Sequence, residues 1–160
     1  MALLDPTGVV SEFYFAYGSN MNPARVAARG LRTVGIRGAA LTGYRLVFDK
    51  SASDHPRSAH ANLLPDPTAA VEGVLYALAD SQEIEKMDPF ERTPINYRRE
   101  RVVVDADGER VVAWTYFANP AVRRAGLQPT RDYLAHLLAG RAYLSAAYVA
   151  RLEAVACVDD

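Results

Sequence analysis

The sequence predicts an α+β protein: a small mixed or antiparallel sheet curled into a barrel-like core, with a short N-terminal helix and two C-terminal helices. Three observations carry this expectation. Strand signals fill the first two-thirds of the chain, capped helical signals fill the last third, and the two do not alternate in the βαβ manner that builds a parallel sheet. The length of 160 residues suits one domain, 1–160, with a core at about 13–156. A chain of this size buries roughly 70% of the surface that its unfolded form exposes, so it needs no disulfide or metal to hold a core.

The elements follow in order. Glu12-Phe13-Tyr14-Phe15-Ala16-Tyr17 is aromatic-rich and reads as the first strand. Gly18-Ser19-Asn20 ends it in a turn. Asn22-Pro23 then opens a short helix, with Asn as N-cap and Pro at the first helical position, and Gly30 stops it. Residues 34–40 and 44–48 read as two strands broken at Thr42-Gly43, and residues 49–57 as a loop. Residues 59–64 and 71–78 read as two further strands separated by Pro65-Asp66-Pro67. Asp80 to Met87 is expected as one or two helical turns opened by an Asp80/Glu83 capping box and closed at Asp88-Pro89. Asp107-Gly108 between two β-branched runs predicts a hairpin. Thr130 and Ser145 each cap a helix, the first with Leu134, Leu137 and Leu138 on one face, the second with Tyr148, Leu152 and Val155.

Composition excludes several function classes. Lys+Arg is 18 and Asp+Glu is 19, a net charge of −1, so there is no cationic excess for nucleic acid or an anionic membrane. No apolar run approaches the ~18 residues of a membrane span, and Met1 to Pro6 lacks the basic and apolar regions of a signal peptide. The single cysteine, Cys157, allows no internal disulfide and suits a reducing, cytoplasmic compartment. Phosphate-binding glycine loops and clustered metal ligands are absent from the sequence, and His55 and His60 read as solvated loop histidines. Oligomeric state is not legible.

Two segments carry chemical information. The strand that ends in Tyr17-Gly18-Ser19-Asn20 and enters a helix presents several backbone N–H groups together, a cradle for a carboxylate or an oxyanion. In Met87-Asp88-Pro89-Phe90-Glu91-Arg92, a glutamate follows an aromatic residue just after a helix stop. If it points into a cleft, burial raises its pKa and makes it a proton shuttle. Taken alone, each segment reads first as ordinary structure: a strand–turn–helix junction, and a surface glutamate paired with Arg92, Arg98 or Arg99.

Together they are more specific. Phe15-Ala16-Tyr17-Gly18-Ser19-Asn20-Met21 resembles the signature loop of the γ-glutamylcyclotransferase-like family, and Met87-Asp88-x-x-Glu91 resembles the family's acid/base segment. Gly43 to Phe48, Ala59 to Leu63 and Val71 to Tyr76 resemble its strands, and Pro129-Thr130-x-x-Tyr133-x-x-x-Leu137 with Tyr148-x-x-x-Leu152 its last two helices. The resemblance spans about Phe13 to Val155. The chain departs from the family pattern at Arg92, where a glycine is usual, at Arg141 after Gly140, and at Ser145, where a proline is usual.

The resemblance implies an intramolecular aminolysis: the α-amine of a γ-glutamyl group attacks its own γ-carbonyl and releases 5-oxoproline and a free amine or amino acid. It implies Glu91 as general base and then acid, and substrate contacts from Tyr14, Phe15, Ala16, Tyr17, Gly18, Ser19, Asn20 and Tyr97. It implies a small γ-glutamyl compound as the partner and needs no metal, cofactor or covalent intermediate. Two other readings share the scaffold: a non-catalytic protein that binds a small carboxylate, favoured by Arg92 beside Glu91, and a pathway-specific enzyme that removes a γ-glutamyl protecting group.

Overall fold

In the computed structural model, which describes residues 3–4, 10–53 and 55–158, five strands close into a barrel in the order β3-β5-β4-β6-β7. Met1, Ala2, Asp54 and residues 5–9 and 159–160 lie outside the described residues, so the reading of Met1 to Pro6 is largely not addressed. A two-stranded pair, β1 (Leu3–Leu4) and β2 (Val10–Ser11), precedes the barrel.

Strand β3 (Phe13–Ala16) is buried at all four positions. A strand covered on both faces reads as a continuous apolar run, as this one does. It pairs antiparallel with β5 and parallel with β7. That parallel pair closes the barrel and makes the sheet mixed.

The four short strands expected between residues 34 and 78 are two long ones, β4 (Thr33–Ser51) and β5 (Ala59–Leu78). Thr42-Gly43 and Pro65-Asp66-Pro67 do not end them, because the two irregularities lie opposite each other. Thr42 pairs with Ala70 and Tyr44 with Pro65, so residues 66–69 bulge out across from Gly43 and pairing resumes beyond. His60 therefore stands within β5 rather than in a solvated loop.

The Asp-Gly hairpin forms between β6 (Tyr97–Ala106) and β7 (Glu109–Ala118). Asp107 and Gly108 take φ of 50° and 82°, the left-handed pair that a two-residue hairpin turn requires. The expected capping box at Asp80 does not form. Residues Glu83–Lys86 make a single 3-10 turn, and the Glu83 carboxylate turns to Lys86 Nζ (2.8 Å) and the Arg32 amide (2.7 Å) instead.

The three predicted caps all form. Asn22 accepts from the Ala24 amide at the start of α1 (Pro23–Ala28), Thr130 from that of Tyr133 at α2 (Arg131–Leu138), and Ser145 from that of Tyr148 at α3 (Ala146–Glu153). Ser145, in place of the family's proline, also binds the Glu72 carboxylate through its amide (2.7 Å) and hydroxyl (2.6 Å), which ties α3 to β5.

The core has two parts. One draws on all five barrel strands, with Phe15, Leu41, Leu63, Leu75, Val104 and Val111. The other lies between the sheet and the helices and includes Met21, Tyr76, Met87, Leu134, Leu137 and Leu152. Helix α2 packs against the turn that follows β3, so the second core holds that turn in place.

Candidate active site

Strand β3 delivers the chain to Gly18, where one 3-10 turn (Ser19–Met21) leads into α1. The Met21 and Asn22 amides close this turn on the Gly18 and Ser19 carbonyls. Gly18 is closely packed: a Cβ would stand 3.1 Å from Tyr133 Oη and 3.2 Å from Ala61 Cβ, so these two side chains would have to give by a few tenths of an ångström. The Glu91 segment is built from overlapping turns, with the amides of Glu91, Arg92 and Thr93 donating to Met87, Pro89 and Asp88.

These two segments meet at one cavity of about 90 Å³. Of the residues singled out in the sequence, Tyr14, Tyr17, Gly18, Ser19, Asn20, Glu91 and Tyr97 line it. Phe15 and Ala16 do not: Phe15 belongs to the barrel core and Ala16 to the core beneath the helices. The period of two along β3 explains part of this, because consecutive side chains leave on opposite faces.

Asn20 is the hub. It is 3% exposed, and Arg29 Nη1 donates to its Oδ1 at 2.9 Å. A guanidinium can only donate, so this bond fixes which end of the amide is oxygen. The Nδ2 group is thereby directed at Tyr14 Oη (2.9 Å) and Glu91 Oε1 (3.3 Å). Tyr76 Oη donates to the Asn20 carbonyl at 2.6 Å. The turn and the carboxylate are thus joined by a side chain held at both ends.

Glu91 is partly accessible, yet its carboxylate sits deep. Burial pushes its pKa up to about 7, against the opposing pull of Arg29, Arg25 and Lys50. At neutral pH such a group both takes and gives a proton. Tyr14, Tyr17 and Tyr97 are held well above their ordinary range by burial and then by Glu91 or neighbouring tyrosines, so all three stay neutral. Tyr17 and Tyr97 spend their protons on the carbonyls of Tyr116 (2.5 Å) and Ala61 (2.8 Å). Tyr14 and Tyr133 serve as acceptors, from Asn20 and from the Ala61 amide (2.9 Å), which leaves each O–H able to donate.

Arg92 does not enter the cavity. It is exposed and its φ of 49° is left-handed, a conformation that a glycine adopts without strain. The backbone at this position therefore accounts for a glycine, and the arginine keeps the conformation with its side chain turned outward.

Several lining residues were not singled out in the sequence: Arg25, Arg29, His60, Phe90, Tyr116 and Tyr133. Arg25 and Arg29 were findable, since they stand at i and i+4 on the helix that leaves the turn. Tyr133 was noted only as part of a helix; it arrives because α2 packs on the turn, and it stacks on His60 with centroids 4.5 Å apart. Nothing local marks Tyr116, which donates to Asp88 Oδ1 at 2.7 Å. Among the described residues, no group of three or more His, Cys, Asp or Glu is placed to hold a metal ion.

Comparison with known proteins identifies the family and the fold. The model of the family described as "Gamma-glutamyl cyclotransferase, AIG2-like" matches residues 14–135. A solved structure named gamma-glutamyl cyclotransferase superposes with a TM-score of 0.80 at 21% identity, covering 94% of this chain and 90% of that one. A Homo sapiens protein, loc79017, gives 0.82 at 22% identity over 94% and 90%. A yeast gamma-glutamyl cyclotransferase specific to glutathione gives 0.62 at 15% identity over 89% and 93%. At these identities the likenesses establish the fold. No curated protein matches the chain.

Proposed function

We propose, for a chain that belongs to the gamma-glutamyl cyclotransferase, AIG2-like family, that it cyclises a small γ-glutamyl compound to 5-oxoproline and releases the attached amine or amino acid. The observation that carries this reading is the pairing of Glu91 with Asn20. A carboxylate with a pKa of about 7 stands 3.3 Å from the side chain that heads the helix-entry turn, inside a cavity walled by neutral tyrosines.

The chemistry divides into three tasks. The substrate's α-ammonium gives a proton to the Glu91 carboxylate and becomes a nucleophile. Its nitrogen attacks the γ-carbonyl carbon as the C=O π electrons move onto oxygen. When the tetrahedral centre collapses, the C=O re-forms and the bond to the leaving nitrogen breaks; Glu91 gives its proton to that nitrogen, then takes the second proton from the ring nitrogen and passes it to the released amine, so the products are a neutral lactam and an ammonium. One positioned carboxylate doing both is worth roughly 10²–10⁴-fold. The developing oxyanion needs donors that do not have to reorganise, and the free O–H groups of Tyr14 and Tyr133, with the amides that open the turn, are the candidates. A cavity this small also holds the substrate folded back toward the five-membered ring, which supplies the proximity term.

The binding-only reading drew on Arg92 beside Glu91, and the outward position of Arg92 removes that cation from the cavity. Among the described residues no helix is long and apolar enough to cross a membrane, and a cytoplasmic setting goes with this reading. The test is a panel of γ-glutamyl amino acids, amines and peptides incubated with the protein, with 5-oxoproline as the readout. Release from at least one member supports the reading. Absence of release from all, with binding intact, returns the site to carboxylate binding without turnover.

A further inference from the structure

Arg29 lines the cavity, yet its contacts are with the two neighbours of the Glu91 carboxylate rather than with the carboxylate itself. Its Nη1 donates to Asn20 Oδ1 at 2.9 Å, and its guanidinium carbon stands 4.6 Å from the ring centroid of Phe90, the residue before Glu91. A guanidinium laid on an aromatic face is held in place as well as attracted. Asn20 is 3% exposed, so its amide has two settings that fill the same space, related by exchange of oxygen and nitrogen.

The two settings give the site opposite hydrogen-bond polarity. With the oxygen toward Arg29, Nδ2 donates to Tyr14 Oη (2.9 Å) and to Glu91 Oε1 (3.3 Å). The Tyr14 proton is then left for the cavity, and Glu91 gains a donor that favours its charged form. With the amide turned round, N–H groups would face the guanidinium, an oxygen would face the carboxylate, and Tyr14 would give its proton to Asn20. Tyr76 reaches the main-chain carbonyl of Asn20 and does not discriminate between the settings. A protonated Glu91 both donates and accepts, so it does not select either. Arg29 cannot accept, and it selects one setting whatever the state of Glu91.

We infer that Arg29 is a positioning residue that sets the hydrogen-bond polarity of the site through Asn20, keeping the Tyr14 hydroxyl a donor into the cavity and the Glu91 carboxylate an acceptor. Its consequence for turnover rests on the cyclisation reading above; the orientation itself does not.

The test is a double-variant cycle read on Glu91. The charged groups around that carboxylate are Arg25 and Arg29 of α1, Lys50 of β4 and Asp88 of its own segment. His60 of β5 and the neutral tyrosines of β3, β6, β7 and α2 complete the wall. The titration of the Glu91 carboxyl carbon, followed by NMR in isotope-labelled protein without substrate, should move up by about one pH unit in Arg29→Met, the size of one hydrogen bond to the charged form. In an Asn20→Ala background only the charge of Arg29 is left to lose, and the same substitution should move the titration by less than about half as much. With a γ-glutamyl substrate, Arg29→Met should lower kcat about tenfold and leave KM within about twofold. Equal shifts in the two backgrounds would mean that Arg29 acts by charge alone, and overturn the inference. So would a raised KM at unchanged kcat, which would make Arg29 a substrate anchor. A neutron structure of the wild type reads the polarity without any variant: the Tyr14 deuteron is expected to point into the cavity, and one directed at Asn20 overturns the inference. If no γ-glutamyl compound yields 5-oxoproline, the cyclisation reading fails, and the titrations and the neutron structure still decide the role of Arg29.

Discussion

Glu83 and Glu91 are eight residues apart on one connection between strands, and the protein treats their carboxylates in opposite ways. Glu83 is hidden from water only by a thin cover. Its partners, Lys86 Nζ at 2.8 Å and Arg32 Nη2 at 3.3 Å, have side chains that are themselves 42% and 66% exposed. Bonds from Lys86 and Arg32 hold its pKa below the usual carboxylate value. Glu91 sits beneath the turn that follows β3, it accepts a hydrogen bond from the neutral Asn20 amide, and burial outweighs the more distant cations. Two buried acids thus differ in what faces them. Direct cations make a carboxylate a permanent anion that ties elements together; burial with a neutral donor makes one that exchanges its proton near pH 7.

The difference predicts opposite responses of stability to pH. Glu91 has a folded pKa of about 7, above its unfolded value, so the folded state binds the proton more tightly. Its contribution is complete below the unfolded pKa and is lost as pH rises through about 7, a cost on the order of 3 kcal/mol at pH 8. Glu91→Gln should therefore be more stable than the wild type at pH 8 by about that amount and nearly equal to it at pH 4, measured by denaturant unfolding at each pH. A variant less stable at pH 8 would show that Glu91 is a structural anion like Glu83.

Glu83→Gln should behave in reverse. Its folded pKa is lowered, so its contribution is present above the unfolded pKa and is lost as pH falls through the folded value. The variant should lose about 1–2 kcal/mol at pH 7, discounted for its exposed partners, and converge on the wild type at pH 3. A loss that persists unchanged at pH 3 would separate the effect from the ion pairs.

Arg92→Gly gives the smallest effect. Removing a left-handed non-glycine residue should raise stability by about 1 kcal/mol and leave kcat within about twofold. A larger change in kcat would mean that the outward guanidinium reaches the cavity in solution.

What the sequence made legible was mostly local. Asn22, Thr130 and Ser145 announce caps because the capping bond spans only two or three residues. Asp107-Gly108 announces a hairpin because few residue pairs accept two left-handed conformations. Strand lengths were not legible, since Pro65-Asp66-Pro67 looks like a stop unless it is known to lie opposite Gly43. The same division holds at the site. The turn and Glu91 stand out by motif, but the depth of Glu91, the aim of Asn20 and the arrival of Tyr116 and Tyr133 depend on α1, α2 and β7 closing over them. Arg92 was misleading for the same reason: its neighbour in sequence faces inward while its own backbone turns it out.

The central claim is that Glu91 is the proton shuttle, and the pH dependence of kcat for 5-oxoproline release tests it most directly. The wild type should show an acid limb that rises through about pH 7, because the carboxylate must be ionised to accept the ammonium proton. In Glu91→Gln, kcat should fall by about 10²-fold or more with little change in KM, and the residual rate should lose that limb. A Glu91→Gln variant that keeps wild-type turnover, or keeps the same limb, would place the shuttle on another residue.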